Sequence, residues 1–203
     1  MSRPAEITRW QSAFISVSPA MKALFAKMDK KYHETAQRLG FRCDGCADSC
    51  CRSLFYHHTF LEYFLIQEGF HTLGSTRQTE VKKRAEAVCN HLPADHGRDQ
   101  AGRAMCPLNF NGRCSLYAYR PMICRLHGIP HEFQRPDRKV ITGPGCKVFG
   151  ERLPPGDRER LDRTPFYLEL AALENDFKLT AGIEKRMKMT IAEIICAFGN
   201  NIS

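Results

Sequence analysis

The chain has 203 residues, of which 43% are apolar and 26% charged, so its composition and length suit a globular domain with a buried core. It contains no run of about eighteen apolar residues, and we expect no membrane association through a helical span. The first ten residues lack the apolar stretch of a secretory signal, so we expect a cytoplasmic protein.

The net charge of +8 raises the question of nucleic-acid binding. A metal held by four thiolates carries about two negative charges, so two such sites would offset about half of the surplus. Several cations also lie beside cysteines, where they favour the thiolate form; these are Arg42, Arg52, Arg113, Arg120, Arg125 and Lys147. No recognition-helix or RNA-binding motif is present, so nucleic-acid binding is the less favoured interpretation.

The first predicted element is a helix over residues 18–40. Ser18 suits the N-cap, Pro19 the first turn and Gly40 the position after the last turn. Apolar residues recur between these ends at helical spacing, which predicts one buried face.

Two further helices follow in the pattern. Residues 59–68 predict a short buried helix that ends at Gly69, and residues 76–92 an amphipathic helix. Residues 93–102 are polar and predict a loop.

Residues 103–156 are rich in Gly and Pro and predict turns and short irregular pieces, with Lys139–Thr142 as the one strand. Beyond them, two apolar stripes at helical spacing predict two more helices. The members of the first stripe are Phe166, Leu170, Leu173 and Phe177, and those of the second are Ile183, Met187, Ile191, Ile194 and Phe198.

These elements predict a mainly α fold with irregular Cys-rich loops and little or no β structure. We expect a single domain over residues 1–203. Its metal-binding core would cover 41–155, and 1–40 and 156–203 would be helical flanks.

The first Cys-rich segment contains Cys43, Cys46, Cys50 and Cys51. Two residues separate Cys43 from Cys46, a spacing at which a tight turn directs two sulfurs at one metal ion, and Gly45 allows such a turn. Side chains of adjacent residues such as Cys50 and Cys51 usually diverge, so both bind metal only if the turn brings them together or if they serve different metals.

The second segment contains Cys106, Cys114, Cys124 and Cys146. Between the first two lies Asn111-Gly112, a strong turn sequence that would fold Cys106 back towards Cys114. Four cysteines in each segment suit two tetrahedral sites, or one cluster with spare thiols.

Ten cysteines without a secretory signal favour metal binding over a disulfide framework. We expect the eight cysteines of the two segments to converge as metal ligands. Cys89 and Cys196 lie instead beside apolar stripes of predicted helices, and we assign both to packing.

The pattern resembles the YkgJ-like cysteine-cluster family, whose members are described as zinc- or iron-chelating proteins. The resemblance covers 43–155 and has three parts. They are the cluster ending in Cys50-Cys51; Cys106-Pro-Leu, Gly112-Arg-Cys114, Tyr117, Arg120-Pro121 and Cys124-Arg125; and Cys146 followed by Arg152-Leu-Pro-Pro155. The family has two residues between its second and third cysteines, whereas three separate Cys46 from Cys50.

The resemblance implies a metal-binding protein that holds an iron–sulfur cluster, of the 4Fe–4S type, or zinc. The family also includes a domain of flagellin lysine methylases, in which the cysteine cluster is thought to hold iron–sulfur. The resemblance therefore implies an alternative function, that of an iron–sulfur enzyme or of an accessory protein to an enzyme. The chain lacks a Gly-rich strand-to-helix turn for S-adenosylmethionine, so we do not transfer that activity, and catalytic residues and a protein partner stay open.

Other side chains near the two segments are candidates for supporting roles. We expect the four neighbouring histidines to lie beside the ligands or on the surface; they are His57, His58, His127 and His131. We further expect that at least one of Arg120 and Arg125 is partly buried near the cysteines, because a guanidinium can bond sulfur and carbonyl groups in one loop.

Overall fold

A computed structural model describes residues 4–43, 50–91, 104–153, 156 and 158–198. This part of the chain is mainly helical, as the sequence predicts, and also contains two small sheets. Its α-helices are α1 Pro4–Arg38, α2 Phe60–His71, α3 Ser75–His91, α4 Met122–Leu126, α5 Lys147–Arg152, α6 Thr164–Ala181 and α7 Ile191–Cys196. Short 3-10 turns lie at Cys50–Arg52 and Tyr117–Tyr119.

The strands are short and belong to the middle of the chain. They are β1 Asn109–Phe110, β2 Arg113–Cys114, β3 His131–Gln134, β4 Val140–Gly143 and β5 Leu161–Asp162. β1 and β2 form a hairpin, whereas β3 pairs antiparallel with β4 and parallel with β5. The predicted strand at Lys139–Thr142 is confirmed as β4, and the existence of β3 and β5 was not predicted. Neither shows a clear alternation of apolar and polar residues, and β5 has only two residues.

The prediction that the first helix begins at Ser18 is wrong, because α1 begins at Pro4 and Ser18 lies inside it. Trp10 and Phe14 are buried and extend the apolar face by two turns. Pro19 removes one backbone donor from the helix interior, but burial of this face outweighs that cost.

Two glycines near helix ends have different roles. Gly40 adopts a left-handed conformation (φ 64°) after the last turn of α1, as predicted. Gly69 does not end α2, which continues to His71. A Cβ at Gly69 would lie 2.5 Å from the Tyr119 ring, so this glycine allows a close approach of the ring to the helix.

The last predicted helix is only partly correct. Residues 183–190 are not helical, and α7 begins after Thr190, whose side chain forms a capping box with Glu193. Met189 instead pairs with His57 through two backbone hydrogen bonds. The apolar stripe nevertheless identified buried positions, because Ile183, Met187, Ile194 and Phe198 are all buried.

One hydrophobic core draws on α1, α2, α6 and α7 and on the loops between them. α6 is joined to α2 by Glu174, which accepts the backbone N–H groups of Phe60 and Leu61 at 2.9 and 3.1 Å. The predicted loop at 93–102 lies outside the described residues. None of the helices within the described ranges is long and apolar enough to cross a membrane.

Candidate metal centre

The first Cys-rich segment is described at its two ends. Cys43 is exposed and follows α1, and Cys46 lies outside the described residues. Cys50 begins the 3-10 turn at Cys50–Arg52, and Cys51 is half-buried within it.

A backbone hydrogen bond joins the two segments. The N–H of Cys106 donates to the carbonyl of Cys51 at 2.8 Å. The two cysteines are 55 positions apart in the numbering, so this contact places the end of the first segment on the beginning of the second.

The turn predicted at Asn111-Gly112 is confirmed, and it joins two short strands that were not predicted. Both residues have positive φ angles, 52° and 81°, which a two-residue hairpin turn requires. Cys114 pairs with Asn109 across the hairpin, and the N–H of Asn109 donates to the carbonyl of Cys106 at 2.9 Å. The turn therefore brings the chain around Cys114 back beside Cys106.

Cys124 reaches the same region on the short helix α4. The first N–H of this helix, from Met122, donates to the buried carboxylate of Glu62 at 3.0 Å. The other oxygen of Glu62 accepts the hydroxyl of Thr59 at 2.8 Å. A negative charge at a helix N-terminus is favourable, so Glu62 fixes the start of the helix that carries Cys124.

Four cysteines of the two segments affect one another's thiol pKa values. Burial raises the pKa of the Cys124 thiol well above its usual value, and the neighbouring thiols of Cys106, Cys114 and Cys51 raise it further. Burial also raises the pKa of Cys106 to about 12, again with contributions from Cys51 and Cys114. We refer to Cys51, Cys106, Cys114 and Cys124 as the thiol cluster.

Cys146 is held by a different set of contacts. Its Sγ accepts the N–H of Phe149 at 3.4 Å and so caps α5, and its own N–H donates to the carbonyl of Gly128 at 2.9 Å. Arg152 of the same helix donates to the carbonyl of Arg42 at 3.2 Å. The helix that begins after Cys146 thus contacts the chain directly before Cys43.

Arg125 is buried beside Cys124. This confirms the expectation that at least one of Arg120 and Arg125 is partly buried. The Arg125 side chain is only 5% exposed. The guanidinium donates to the carbonyls of Arg120 (2.7 Å) and Ala118 and forms an ion pair with Asp29. Burial lowers the pKa of Arg125, whereas the charges of Asp29 and Cys124 act in the opposite direction. Its donors reach carbonyls and a carboxylate, and no bond from it to sulfur is seen among the described residues.

Arg120 is less buried, with 18% of its side chain exposed. It stacks on the ring of Tyr117, 3.6 Å from its centroid, and donates to the Tyr117 carbonyl at 2.9 Å. Its charge lowers the pKa of Cys114, although burial of this thiol has a larger, opposite effect.

The four histidines differ in their environments. His57 is 1% exposed, and its Nε2 has no hydrogen-bond partner among the described residues. Burial lowers its pKa, although Glu62 partly opposes the shift, so the ring is neutral near pH 7. His127 packs on Phe55, and His131 lies on β3, where burial lowers its pKa to about 4. His58 is exposed.

Cys89 and Cys196 lie on α3 and α7, as predicted, but they are not independent packing residues. Their Sγ atoms are 3.1 Å apart. The sequence contains no indication of this pairing, because it depends on how the two helices pack against each other.

The chemistry of the thiol cluster fits a thiophilic metal. Thiolates that are buried close together repel one another, and a metal cation bound between them removes this repulsion. In the described ranges, however, no three His, Cys, Asp or Glu side chains are arranged as a formed metal site. Completion of a site would therefore require ligands to move together, or donors from residues 44–49.

Comparison of the chain with protein-family models, with curated proteins and with solved structures finds no match in any of the three. The resemblance to the cysteine-cluster family therefore stays a prediction.

Proposed function

We propose that this protein binds metal through cysteine thiolates, with the thiol cluster as the centre of the site. The observation that carries the proposal is the convergence of four cysteines from separate parts of the chain: a 3-10 turn (Cys51), the segment before the hairpin (Cys106), β2 (Cys114) and α4 (Cys124). Burial and the neighbouring thiols raise the pKa values of Cys106, Cys114 and Cys124, in keeping with this arrangement. Ordinary buried cysteines more often lie singly on apolar faces.

The remaining four cysteines of the two segments are proposed as further ligands. Cys43, Cys46 and Cys50 belong to the same sequence segment as Cys51, and the Cys-x2-Cys spacing of the first two suits a metal ion. Cys146 caps α5, whose Phe149 and Arg152 contact Phe41 and Arg42, directly before Cys43. This arrangement suits two sites or one cluster with additional thiols.

A bound zinc ion would hold the loops together, whereas an iron–sulfur cluster would supply one-electron transfer. The protein's own contribution is the same in both cases. The backbone hydrogen bond between Cys106 and Cys51 keeps two proposed ligands together. Glu62 holds the start of the helix that carries Cys124, and Arg125 holds the chain between Cys114 and Cys124. An all-cysteine ligand set suits either metal form, and the excess of cysteines over four slightly favours iron–sulfur.

Anaerobic purification followed by elemental analysis tests the proposal. Brown protein with broad absorbance near about 400 nm and bound iron and sulfide would identify an iron–sulfur cluster. Colourless protein with bound zinc would identify a zinc site. Folded protein that contains neither metal, and that takes up neither after anaerobic reconstitution, would contradict the proposal.

A further inference from the structure

The side chains of Cys89 and Cys196 are in contact. The two residues are 107 positions apart in sequence, and their Sγ atoms approach to 3.1 Å. Both residues are half-buried, so the pair keeps some contact with solvent. The sulfur–sulfur bond of a disulfide is about 2.05 Å long, so a movement of about 1 Å would convert this contact into a covalent bond.

The helices on both sides of this contact are anchored. The capping box of Thr190 and Glu193 fixes the start of α7, one turn before Cys196. On α3, Arg84 donates to the carbonyl of Asn109 at 2.8 Å and stacks on Phe110, which holds the helix against the β1–β2 hairpin. The approach of the two sulfurs therefore follows from the packing of two fixed elements.

The pair differs chemically from the thiol cluster. A metal needs additional ligands, and none of the described His, Cys, Asp or Glu side chains completes a group of three with these two. Two thiols in contact are suited instead to the two-electron chemistry of a disulfide. Burial, together with the hydrogen bond between the two thiols, raises the pKa of Cys89.

We propose that Cys89 and Cys196 are a redox-active pair, which a low-molecular-weight disulfide such as glutathione disulfide converts into a reversible intramolecular disulfide. The proposal is independent of metal binding by the thiol cluster.

The reaction is a pair of thiol–disulfide exchanges. The thiolate of one cysteine of the pair attacks one sulfur of glutathione disulfide, which forms a mixed disulfide and releases one glutathione. The other cysteine, after losing its proton, attacks the protein sulfur of the mixed disulfide and releases the second glutathione. The protein loses two protons and two electrons, and one glutathione disulfide becomes two glutathione thiols.

The bond would link two elements that contact the chain near the thiol cluster. α3 contacts the hairpin that contains Cys114 through Arg84, and the chain before α7 pairs through Met189 with His57, six residues after Cys51. Closing such a long loop restricts the unfolded chain, so we expect the oxidised protein to unfold at a temperature several degrees higher.

The test is treatment of the purified protein with glutathione disulfide at neutral pH, followed by alkylation of free thiols and peptide mapping. We expect a peptide that joins Cys89 to Cys196, with a loss of two hydrogens, and its disappearance after dithiothreitol. The same treatment in guanidinium should abolish the preference for this pair. Recovery of both cysteines from the folded protein as free thiols, or as two separate glutathione adducts, would overturn the proposal.

Two variants test whether each thiol resolves the adduct on the other. In Cys89→Ser a mixed disulfide with glutathione should persist on Cys196, and in Cys196→Ser one should persist on Cys89, because the second thiol is absent. In the wild type neither adduct should accumulate. A mixed disulfide that persists in the wild type as long as in the variants would contradict the proposed exchange.

Discussion

Glu62 accepts the backbone N–H of Met122 at 3.0 Å, and through this bond α2 holds the helix that carries Cys124. Glu62 is only 4% exposed, so the bond lies in a region with little competing water. The placement of a cysteine in the candidate metal centre thus depends on a carboxylate 62 positions away in the numbering.

Substitution of Glu62 tests this role. Glu62→Ala leaves the N–H of Met122 and the hydroxyl of Thr59 without their partner, and we expect a loss of about 2 kcal/mol in the free energy of unfolding. Glu62→Gln keeps an oxygen that can accept the Met122 N–H, so its loss should be smaller. Chemical denaturation measures both. Equal losses in the two variants would show that Glu62 does not stabilise the fold by accepting the N–H of Met122.

Glu174 gives a prediction about pH. Burial raises the pKa of this carboxyl to about 7 from an ordinary 4.5, against the effect of the N–H groups of Phe60 and Leu61, which lower it. The folded state therefore binds more protons than the unfolded state between these values. Stability from this group is present at low pH and is lost as the pH rises through 7.

The comparison of wild type with Glu174→Gln isolates this effect, because glutamine does not titrate. From pH 5 to pH 7.5 the free energy of unfolding of the wild type should fall relative to that of the variant by about 2 kcal/mol. Denaturation curves at a series of pH values provide the measurement. A difference between the two proteins that is constant with pH would show that Glu174 is ionised throughout.

The sequence predicted those features that depend on local preferences. Asn111-Gly112 specifies its hairpin through backbone conformation alone, and the apolar stripe around Phe177 predicts α6 from its periodicity. The pattern from Ile183 to Phe198 was correct about burial but wrong about helix, because Met189 pairs with His57 instead. A periodic pattern shows which side chains are buried, and tertiary contacts decide the backbone that buries them.

The candidate site shows the same division. Loops rich in Gly and Pro led us to group eight cysteines as proposed ligands. The backbone hydrogen bond between Cys106 and Cys51, however, joins residues far apart in sequence. The contact of Cys89 with Cys196 and the role of Glu62 likewise depend on the packing of distant elements. No local preference of the chain encodes such contacts.

Serine substitutions test how the cysteines divide between metal binding and other roles. We expect Cys114→Ser and Cys124→Ser to lower both the bound metal and the stability, because each removes a thiolate from the cluster. Cys196→Ser is the matched control and should leave the metal content unchanged. Elemental analysis of the three purified variants decides the question. Equal metal loss in all three variants would contradict the assignment of Cys114 and Cys124 as ligands and of Cys196 as a residue outside the metal site.

The final prediction concerns Arg125, whose guanidinium joins three groups at once. It donates to the carbonyls of Ala118 and Arg120 and pairs with Asp29 of α1, so it holds the chain between Cys114 and Cys124 in one conformation. Lysine keeps the positive charge but lacks the planar fork of donors. Arg125→Lys should therefore loosen this turn, and we expect release of bound metal to a chelator about tenfold faster.

Arg120→Lys is the matched comparison, because Arg120 stacks on the exposed ring of Tyr117 and is the more accessible of the two arginines. Its replacement should accelerate metal release less than that of Arg125. Stopped-flow measurement of metal transfer to a chelator gives the release rate of each variant. Chemical denaturation of the metal-free proteins shows how much each substitution destabilises the fold itself. The hydrogen bonds from Arg125 to carbonyl groups lie between two proposed ligands, Cys114 and Cys124. The increase in the metal-release rate should therefore be larger than the loss of global stability alone would cause. Unchanged release in both variants would show that the arginines contribute only to the surface and the fold.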